Sequence, residues 1–302
     1  MKKIWTGFLF VILLTAAQFL PAGLLAAEGG KEQLTYRLKW LFNVSVMGDL
    51  YAGEMGFFEG ANLDVTVKEG GPERDAIREL ELGYADFGVA SADQVIRALS
   101  KGSPVVVLAQ LFQVNPLQWI YRPDRVEITQ VKDLKAKTVG VTFGGNDETI
   151  MRTLLASQGL SEGDVRIYSV RYDYTPFYRR KADLWPVYVN SQGPIISWKL
   201  KRAGERVAFF DPSAHGVKFV ANSVVTSVRM VREHPDTVKR FMQALLQGWE
   251  AAFKPENSKV KPADSVDIGT FDREAWQQTE RIMLEQQQIK APVGVDKVLI
   301  QF

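Results

Sequence analysis

Cysteine is absent from the 302-residue sequence, and histidine occurs only at His215 and His234. The lack of cysteine excludes disulfide bonds, zinc sites built on thiolates and a cysteine nucleophile. Neither histidine has a partner at metal-ligand spacing, and there is no His-Glu-x-x-His, nucleotide-binding Walker or Gly-x-Ser-x-Gly motif. No pair of carboxylates stands out as a general acid and base. We therefore predict no catalytic residue, metal site, cofactor or enzymatic activity.

An excess of charge of one sign is also lacking. The 37 Lys and Arg residues against 35 Asp and Glu leave a formal net charge of +2. So small an excess does not create the strong positive field that attracts nucleic acids. We expect no nucleic-acid partner.

Long apolar runs are missing too, except at the N-terminus. Lys2 and Lys3 precede the apolar stretch Ile4–Leu20, and small residues follow it. This order predicts a secretory signal peptide over residues 1–27, cut near Ala26 or Ala27. An uncleaved membrane anchor is the alternative, because the run approaches the length of a spanning helix. Cleavage predicts a periplasmic protein.

The rest of the chain alternates short apolar stretches with amphipathic ones. Alternation in Leu34–Trp40 predicts a first strand, and it puts Lys39 on the opposite face from Trp40. Apolar runs such as Pro104–Phe112 predict further strands, and Pro72–Leu82 predicts a helix with Pro72 in its first turn. Two such series, separated near residues 121–133, predict an α/β fold in two lobes with mainly parallel sheets.

Aromatic and amide side chains cluster where the predicted strands end. In an open parallel sheet, ligands bind outside the carboxyl ends of the strands. Aromatic rings there can stack on a flat ligand while Asn and Gln side chains bind its edge, although core packing explains any single ring equally well. The candidate ligand-binding residues are Trp40, Asn43, Ser45, Ser91, Gln113, Gly145, Asn146, Tyr174, Trp185, Tyr188 and Asn190.

A glycine-rich turn precedes one of the predicted helices. Gly144 and Gly145 can present backbone N–H groups to an anion or a polar ligand, and a plain tight turn is equally consistent with them. Asp147 and Glu148 follow at the helix start, where they interact favourably with the helix dipole or reach a cationic ligand.

Several blocks of the sequence, in order, resemble one family. They are Trp40, Gly48, Tyr51-Ala52, Gly56–Phe58 and Leu63–Val67, then Gly83–Gln113, Val131–Val141 and Arg232–Ala252. In these blocks the chain is similar to bacterial solute-binding proteins related to the thiamine-pyrimidine-precursor and the nitrate, sulfonate and taurine binders. The first turn departs from the family pattern Trp-x-Pro-Asn-x-Asn-His, because Phe42, Ser45 and Val46 replace Pro, Asn and His.

The resemblance implies a type II periplasmic-binding-protein fold. Lobe 1 would comprise residues 34–122 and 225–302, lobe 2 residues 123–224, with crossovers near Trp119–Arg125 and Lys218–Thr226. A small nitrogen-containing or aromatic nutrient, similar to the thiamine pyrimidine precursor, would be trapped by hinge closure in the cleft between them. Trp40 would stack on it and Asn43 would hydrogen-bond to it. A monomer that delivers the ligand to an ABC permease in the inner membrane is implied as well.

Two other functions stay open. The same fold can present a bound ligand to a membrane signalling protein, and the sequence does not separate this role from transport. A synthase that makes the thiamine pyrimidine from pyridoxal phosphate, as eukaryotic relatives do, would require a reactive lysine and a histidine in one pocket. Neither His215 nor His234 lies at a first-turn position that matches the family.

Overall fold

The computed structural model describes residues 30–254 and 268–301. The predicted signal peptide, residues 1–27, lies outside this part of the chain. Within it, no helix is long and apolar enough to cross a membrane. Strands and helices alternate along the described residues, which confirms the predicted α/β class.

The strands and helices alternate along the chain in the way that the sequence predicts. Up to residue 110 they are β1 (Glu32–Arg37), α1 (Met47–Glu54), α2 (Phe57–Gly60), β2 (Leu63–Lys68), α3 (Ala76–Leu82), β3 (Phe87–Ala90), α4 (Ala92–Leu99) and β4 (Val105–Gln110). They continue as β5 (Leu117–Tyr121), β6 (Thr138–Val141), α5 (Asn146–Ser157), β7 (Arg166–Ser169), α6 (Thr175–Tyr178), β8 (Leu184–Tyr188), α7 (Gln192–Arg202), β9 (Ala208–Phe210), β10 (Ser223–Ser227), α8 (Val228–Glu233), α9 (Pro235–Ala252) and α10 (Arg273–Glu285). Short 3-10 helices lie at Val44–Val46, Val131–Leu134, Glu162–Asp164, Pro212–His215 and Val295–Lys297.

The strands form two five-stranded sheets, in the orders β2-β1-β3-β10-β4 and β7-β6-β8-β5-β9. Parallel pairs join β1 to β2 and β3, and β6 to β7 and β8. Strands β10 and β5 run antiparallel to both of their neighbours. Four of the five strands in each sheet therefore run in one direction, as expected for mainly parallel sheets, and only the strand that follows a crossing of the chain, β10 or β5, runs the opposite way.

The chain passes between the sheets twice, in segments 111–116 and 211–222. The first crossing lies ahead of the predicted crossover at Trp119–Arg125, because β5 already pairs with β8 and β9. β5 thus belongs to the second sheet, although the predicted first lobe extends to residue 122. The other lobe limits stay a prediction.

The starts of α3 and α4 are set by side chains that cap free backbone N–H groups. Ser91 and Gln94 form a capping box that begins α4. Helix α3 begins after Asp75, whose Oδ1 accepts from Arg78 N at 2.9 Å, rather than at Pro72. Helix α3 is shorter than the predicted helix, because a turn bridged between Gly71 and Arg74 occupies the first predicted residues.

Helices α1 and α9 are packed at backbone distance. A Cβ atom on Gly48 would overlap the Trp249 ring, and one on Gly248 would lie 2.6 Å from Ala52 N. This contact holds the segment that follows β1 firmly against α9. Asp49, on the same helix, is fully buried in the core of the first sheet.

The carboxyl group of Asp49 is only partly satisfied there. Its Oδ1 accepts from the Tyr36 hydroxyl at 2.6 Å and from Trp249 Nε1 at 3.3 Å, while Oδ2 has no partner among the described residues. Burial raises the pKa of Asp49 to about 7, against the lowering effect of these two hydrogen bonds.

Candidate functional site

A cavity of ≈ 170 Å³ lies between the two sheets, where β1, β6 and β8 end. The pairing of β6 with β8 is limited to Val139 and Leu184. Pro186, further along β8, has no N–H group to extend that ladder. The backbone that follows, Thr142 after β6 and Pro186 to Tyr188 in β8, therefore lines the cavity.

Seven of the eleven predicted site residues line this cavity. They are Trp40, Asn43, Ser45, Gly145, Asn146, Tyr174 and Tyr188. The first three come from the segment after β1, and the others come from the second sheet. Strand-end placement therefore located the cavity, whereas contact of these residues with a ligand stays a prediction.

The other four predicted residues lie elsewhere. Ser91 is fully buried, and its side chain serves the capping box of α4. Gln113 points away and donates from Nε2 to the Thr270 carbonyl at 2.9 Å. Trp185 is fully buried in the core of the second sheet, and Asn190 is exposed in the turn after β8.

Asn43 lines the cavity, but its side chain forms hydrogen bonds within the protein. Its Oδ1 accepts from Ser45 N at 2.8 Å, from Ser45 Oγ at 2.6 Å and from Ser191 Oγ at 2.9 Å. Its Nδ2 donates to the Leu41 carbonyl at 2.7 Å. Asn43 therefore fixes the first turn and ties it to the second sheet, instead of offering a free amide oxygen to the cavity.

Lys39 is the charged group that the sequence prediction missed. Its Nζ donates to Asn146 Oδ1 at 3.0 Å and to the Tyr188 hydroxyl at 3.2 Å, so it bridges the two sheets. The Tyr188 hydroxyl in turn donates to Asn222 Oδ1 at 3.2 Å. Strand β1 ends at Arg37, so strand geometry no longer decides which way the Lys39 side chain points. The sequence signal that could have identified Lys39 was its position next to Trp40.

The glycine-rich turn is closed by carboxylates at the start of α5. Gly144 N donates to Glu148 Oε2 at 2.7 Å, and Gly145 N donates to the Thr142 carbonyl at 2.8 Å. Thr142 N donates to Asp147 Oδ2 at 2.6 Å. The structure thus has a tight turn in which the N–H groups of Gly144 and Gly145 bind within the protein.

Two buried polar groups follow at the start of α5. Burial raises the pKa of Asp147 to about 6, although hydrogen bonds from Thr142 and the charge of Lys39 lower it. Asn146 is almost fully buried, and its Nδ2 has no hydrogen-bond partner among the described residues. Buried amide donors are normally paired, so this atom marks a place where a ligand acceptor fits.

Aromatic contacts complete the site. Trp40 contacts Tyr172 with ring centroids 5.3 Å apart, which brings rings from the two sides together. The Tyr172 hydroxyl donates to Glu73 Oε2 at 3.0 Å, and Arg171 pairs with Glu73 at 3.2 Å. Burial raises the pKa of Tyr174 to about 12, so its hydroxyl stays protonated at neutral pH.

The histidines take no part in this cavity. His215 stacks on Phe210 with ring centroids 4.7 Å apart, and His234 immediately precedes α9. In residues 30–254 and 268–301, no group of three or more His, Asp or Glu side chains is arranged to hold a metal ion.

Comparison with known proteins gives a consistent family and fold. A family model described as NMT1/THI5 like matches residues 43–258, more than half of the chain. The chain is 28% identical over 178 residues to a putative thiamine biosynthesis protein of Haemophilus influenzae, covering 58% of this chain and 53% of that protein. It is 25% identical over 251 residues to the formylaminopyrimidine-binding protein of Halalkalibacterium halodurans, covering 81% of this chain and 74% of that protein. It therefore spans about half the length of the Haemophilus relative.

Solved structures are similar over nearly the whole chain. The alkanesulfonate-binding protein SsuA of Xanthomonas axonopodis pv. citri matches with a TM-score of 0.66 at 17% identity, covering 92% of this chain and 100% of that one. At this identity the likeness shows the fold. The chain has the two-sheet α/β fold of periplasmic binding proteins, and the predicted fold class is confirmed.

Proposed function

Because the chain belongs to the NMT1/THI5-like family, we propose that it is the solute-binding component of an ABC importer for a small nitrogen-containing ring compound. The cavity between the two sheets carries this proposal, with the rings of Trp40 and Tyr174 and the polar groups of Lys39 and Asn146 around it. The relative named as a formylaminopyrimidine-binding protein supports it.

The dimensions of the cavity favour a single ring. Pockets for drug-sized ligands hold about 300–1,000 Å³, whereas this cavity measures ≈ 170 Å³. A substituted pyrimidine is therefore a better fit than a tricyclic flavin. Stacking on Trp40 would contribute about 0.5–1.5 kcal/mol beyond the apolar area buried.

The cellular setting of this role remains part of the proposal. The signal peptide over residues 1–27 would export the protein to the periplasm, where it would deliver the ligand as a monomer to a permease in the inner membrane. A permease and an ATPase encoded beside the gene would support import over ligand sensing by a membrane signalling protein.

Two measurements test ligand capture. Native mass spectrometry of the purified protein should release a compound with one heteroaromatic ring. A ligand at 100 times its Kd adds about 2.7 kcal/mol of stability. In thermal-shift assays, 4-amino-5-hydroxymethyl-2-methylpyrimidine and formylaminopyrimidine should therefore raise Tm more than the weaker-binding riboflavin or an alkanesulfonate. If no ring compound co-purifies and none raises Tm, the proposal is refuted.

A synthase acting on pyridoxal phosphate is the second candidate, because Lys39 places a primary amine in the cavity. Against it, neither His215 nor His234 lies there. Adding pyridoxal phosphate tests this alternative directly. An absorbance band of a Schiff base that disappears in Lys39→Met would support a synthase, and no band is expected for a binding protein.

A further inference from the structure

Two runs of basic residues lie outside the lining of the cavity. Residues 178–183 and 198–206 together contain seven Lys and Arg residues against Asp183 and Glu205, an excess larger than that of the whole chain. The structure brings the two runs together. Lys199 Nζ lies 5.7 Å from the centre of the Tyr178 ring, and Arg180 pairs with Glu205 at 3.7 Å. The surface formed by α7 and the turn after α6 is therefore positively charged.

The two carboxylates of these runs are already engaged. Asp183 Oδ2 accepts from Thr138 N at 2.8 Å, and Glu205 pairs with Arg122 as well as with Arg180. Within residues 30–254 and 268–301, three cations of α7 have no ion-pair partner: Lys199, Lys201 and Arg202. Their charges are thus available to an anionic surface.

Helix α7 has one buried face and one outer face. Gly193, Ile196 and Leu200 are buried and form the first. Ile195 and Trp198 are more than half exposed, at 54% and 57% of their surface. Successive residues of an α-helix lie about 100° apart, which places these two side chains opposite the buried three. The helix therefore presents two large apolar groups to solvent.

Cations surround these apolar groups. Arg202 follows Trp198 by one turn, and its guanidinium carbon lies 4.8 Å from the centre of the Trp198 ring. Helical spacing puts Lys199 and Lys201 on the two flanks of the same outer face. The helix dipole favours cations at a C-terminal end, but it does not account for a tryptophan and an isoleucine exposed among them.

This combination is typical of a helix that lies on a membrane surface. Such helices carry Trp or other apolar groups together with Lys and Arg. Tryptophan favours the headgroup level of a bilayer, while Lys and Arg keep their charge at the phosphates and lay their aliphatic parts along apolar surface. Helix α7 contains no Asp or Glu that would repel an anionic headgroup.

We propose that the outer face of α7 binds the surface of an anionic phospholipid bilayer. This face is formed by Ile195, Trp198, Lys199, Lys201 and Arg202. Trp198 would enter the headgroup layer, and the three cations would bind lipid phosphates. The inference goes beyond solute capture and does not depend on the identity of the solute.

Co-sedimentation with lipid vesicles tests the inference. Residues 31–302 form one compact unit, so the protein can be prepared from residue 28 onward, without the apolar N-terminal run that would itself bind lipid. We expect it to bind phosphatidylglycerol vesicles at least about 10-fold more tightly than phosphatidylcholine vesicles, because each cation near an anionic surface contributes about 5-fold. Added salt should weaken the binding.

Substitutions on the outer face should weaken binding to the anionic vesicles. Lys201→Gln and Arg202→Gln should each cost about 5-fold. Trp198→Ala should cost about 10-fold, the lower end of what burial of a large apolar side chain contributes. All three residues are exposed, so Tm should stay close to that of wild type.

Arg229→Gln and Tyr84→Ala are the matched controls. Arg229 on α8 and Tyr84 after α3 are exposed and lie beside the first sheet, whereas α7 lies beside the second. These variants remove an equal charge and an exposed aromatic ring away from α7. They should bind the anionic vesicles as tightly as wild type does.

Three results would overturn the inference. The first is equal binding of wild-type protein to the two kinds of vesicle. The second is an equal loss in Arg229→Gln and Arg202→Gln, which would show attraction by the net charge of the protein. The third is a wild-type protein that binds neither vesicle while Trp198→Ala impairs permease-dependent uptake, because the outer face would then bind a protein. Solute capture is measured without vesicles and is unaffected by any of these results.

Discussion

The buried carboxyl group of Asp49 should make the protein less stable as the pH rises. Burial raises its pKa from 3.8 to about 7, and its Oδ2 lacks a partner among the described residues. Below pH 3.8 the group is protonated in both the folded and the unfolded chain, so its contribution to stability is fully present. As the pH rises to about 7, the unfolded chain releases the proton while the folded chain keeps it, and the free energy of unfolding falls.

The size of this loss follows from the pKa values. Each unit by which the folded pKa exceeds the unfolded one is worth about 1.36 kcal/mol. A rise of about 3 units therefore corresponds to about 4 kcal/mol. Asp49→Asn keeps an oxygen that can accept from Tyr36 and Trp249 but cannot ionise. We expect this variant to gain about 4 kcal/mol relative to wild type between about pH 4 and pH 8.

Urea unfolding followed by tryptophan fluorescence measures this gain. Subtracting the wild-type curve from the variant curve at each pH removes the titration of all the other groups. Asp64→Asn is the control, because it makes the same substitution at an exposed position on β2. A stability gain from Asp49→Asn that does not grow between about pH 4 and pH 8 would refute the reasoning.

Three further substitutions, one of them a control, test packing and ligand contact. Gly48→Ala should destabilise the protein by about 1–3 kcal/mol, because the added methyl group would overlap the Trp249 ring. Gly53→Ala, on the same helix with open space around it, should be neutral or stabilising by up to about 1 kcal/mol, and thermal unfolding compares the two. Trp40→Ala should weaken binding of a pyrimidine about 10-fold in calorimetry, and an unchanged affinity would exclude stacking by this ring.

The sequence predicted the elements better than their arrangement. The apolar run Pro104–Phe112, predicted to be a strand, contains β4, which is buried along its whole length. Strand β5 escaped prediction, and its placement depends on pairing with β8 and β9, which lie more than 60 residues further along the chain. Local patterns carry no record of such long-range pairing.

The candidate site was predicted in part for the same reason. Trp40 and Tyr188 follow from the rule that ligands bind beyond strand ends. Strand alternation placed Lys39 on the opposite face from Trp40, but the strand ends at Arg37. The hydrogen bond from Ser191 to Asn43 joins segments about 150 residues apart, which no spacing in the sequence reveals.

The contact of Trp40 with Tyr172 has a practical consequence when it is combined with the absence of cysteine. Val44 and Phe143 are exposed at 57% and 52% of their surface, and each is flanked in the chain by residues that line the cavity. A cysteine introduced at each of these positions would be the only reactive thiols in the chain. A pair of dyes attached there would report the separation of the two sides of the cavity that Trp40 and Tyr172 bring into contact, with and without an added ligand.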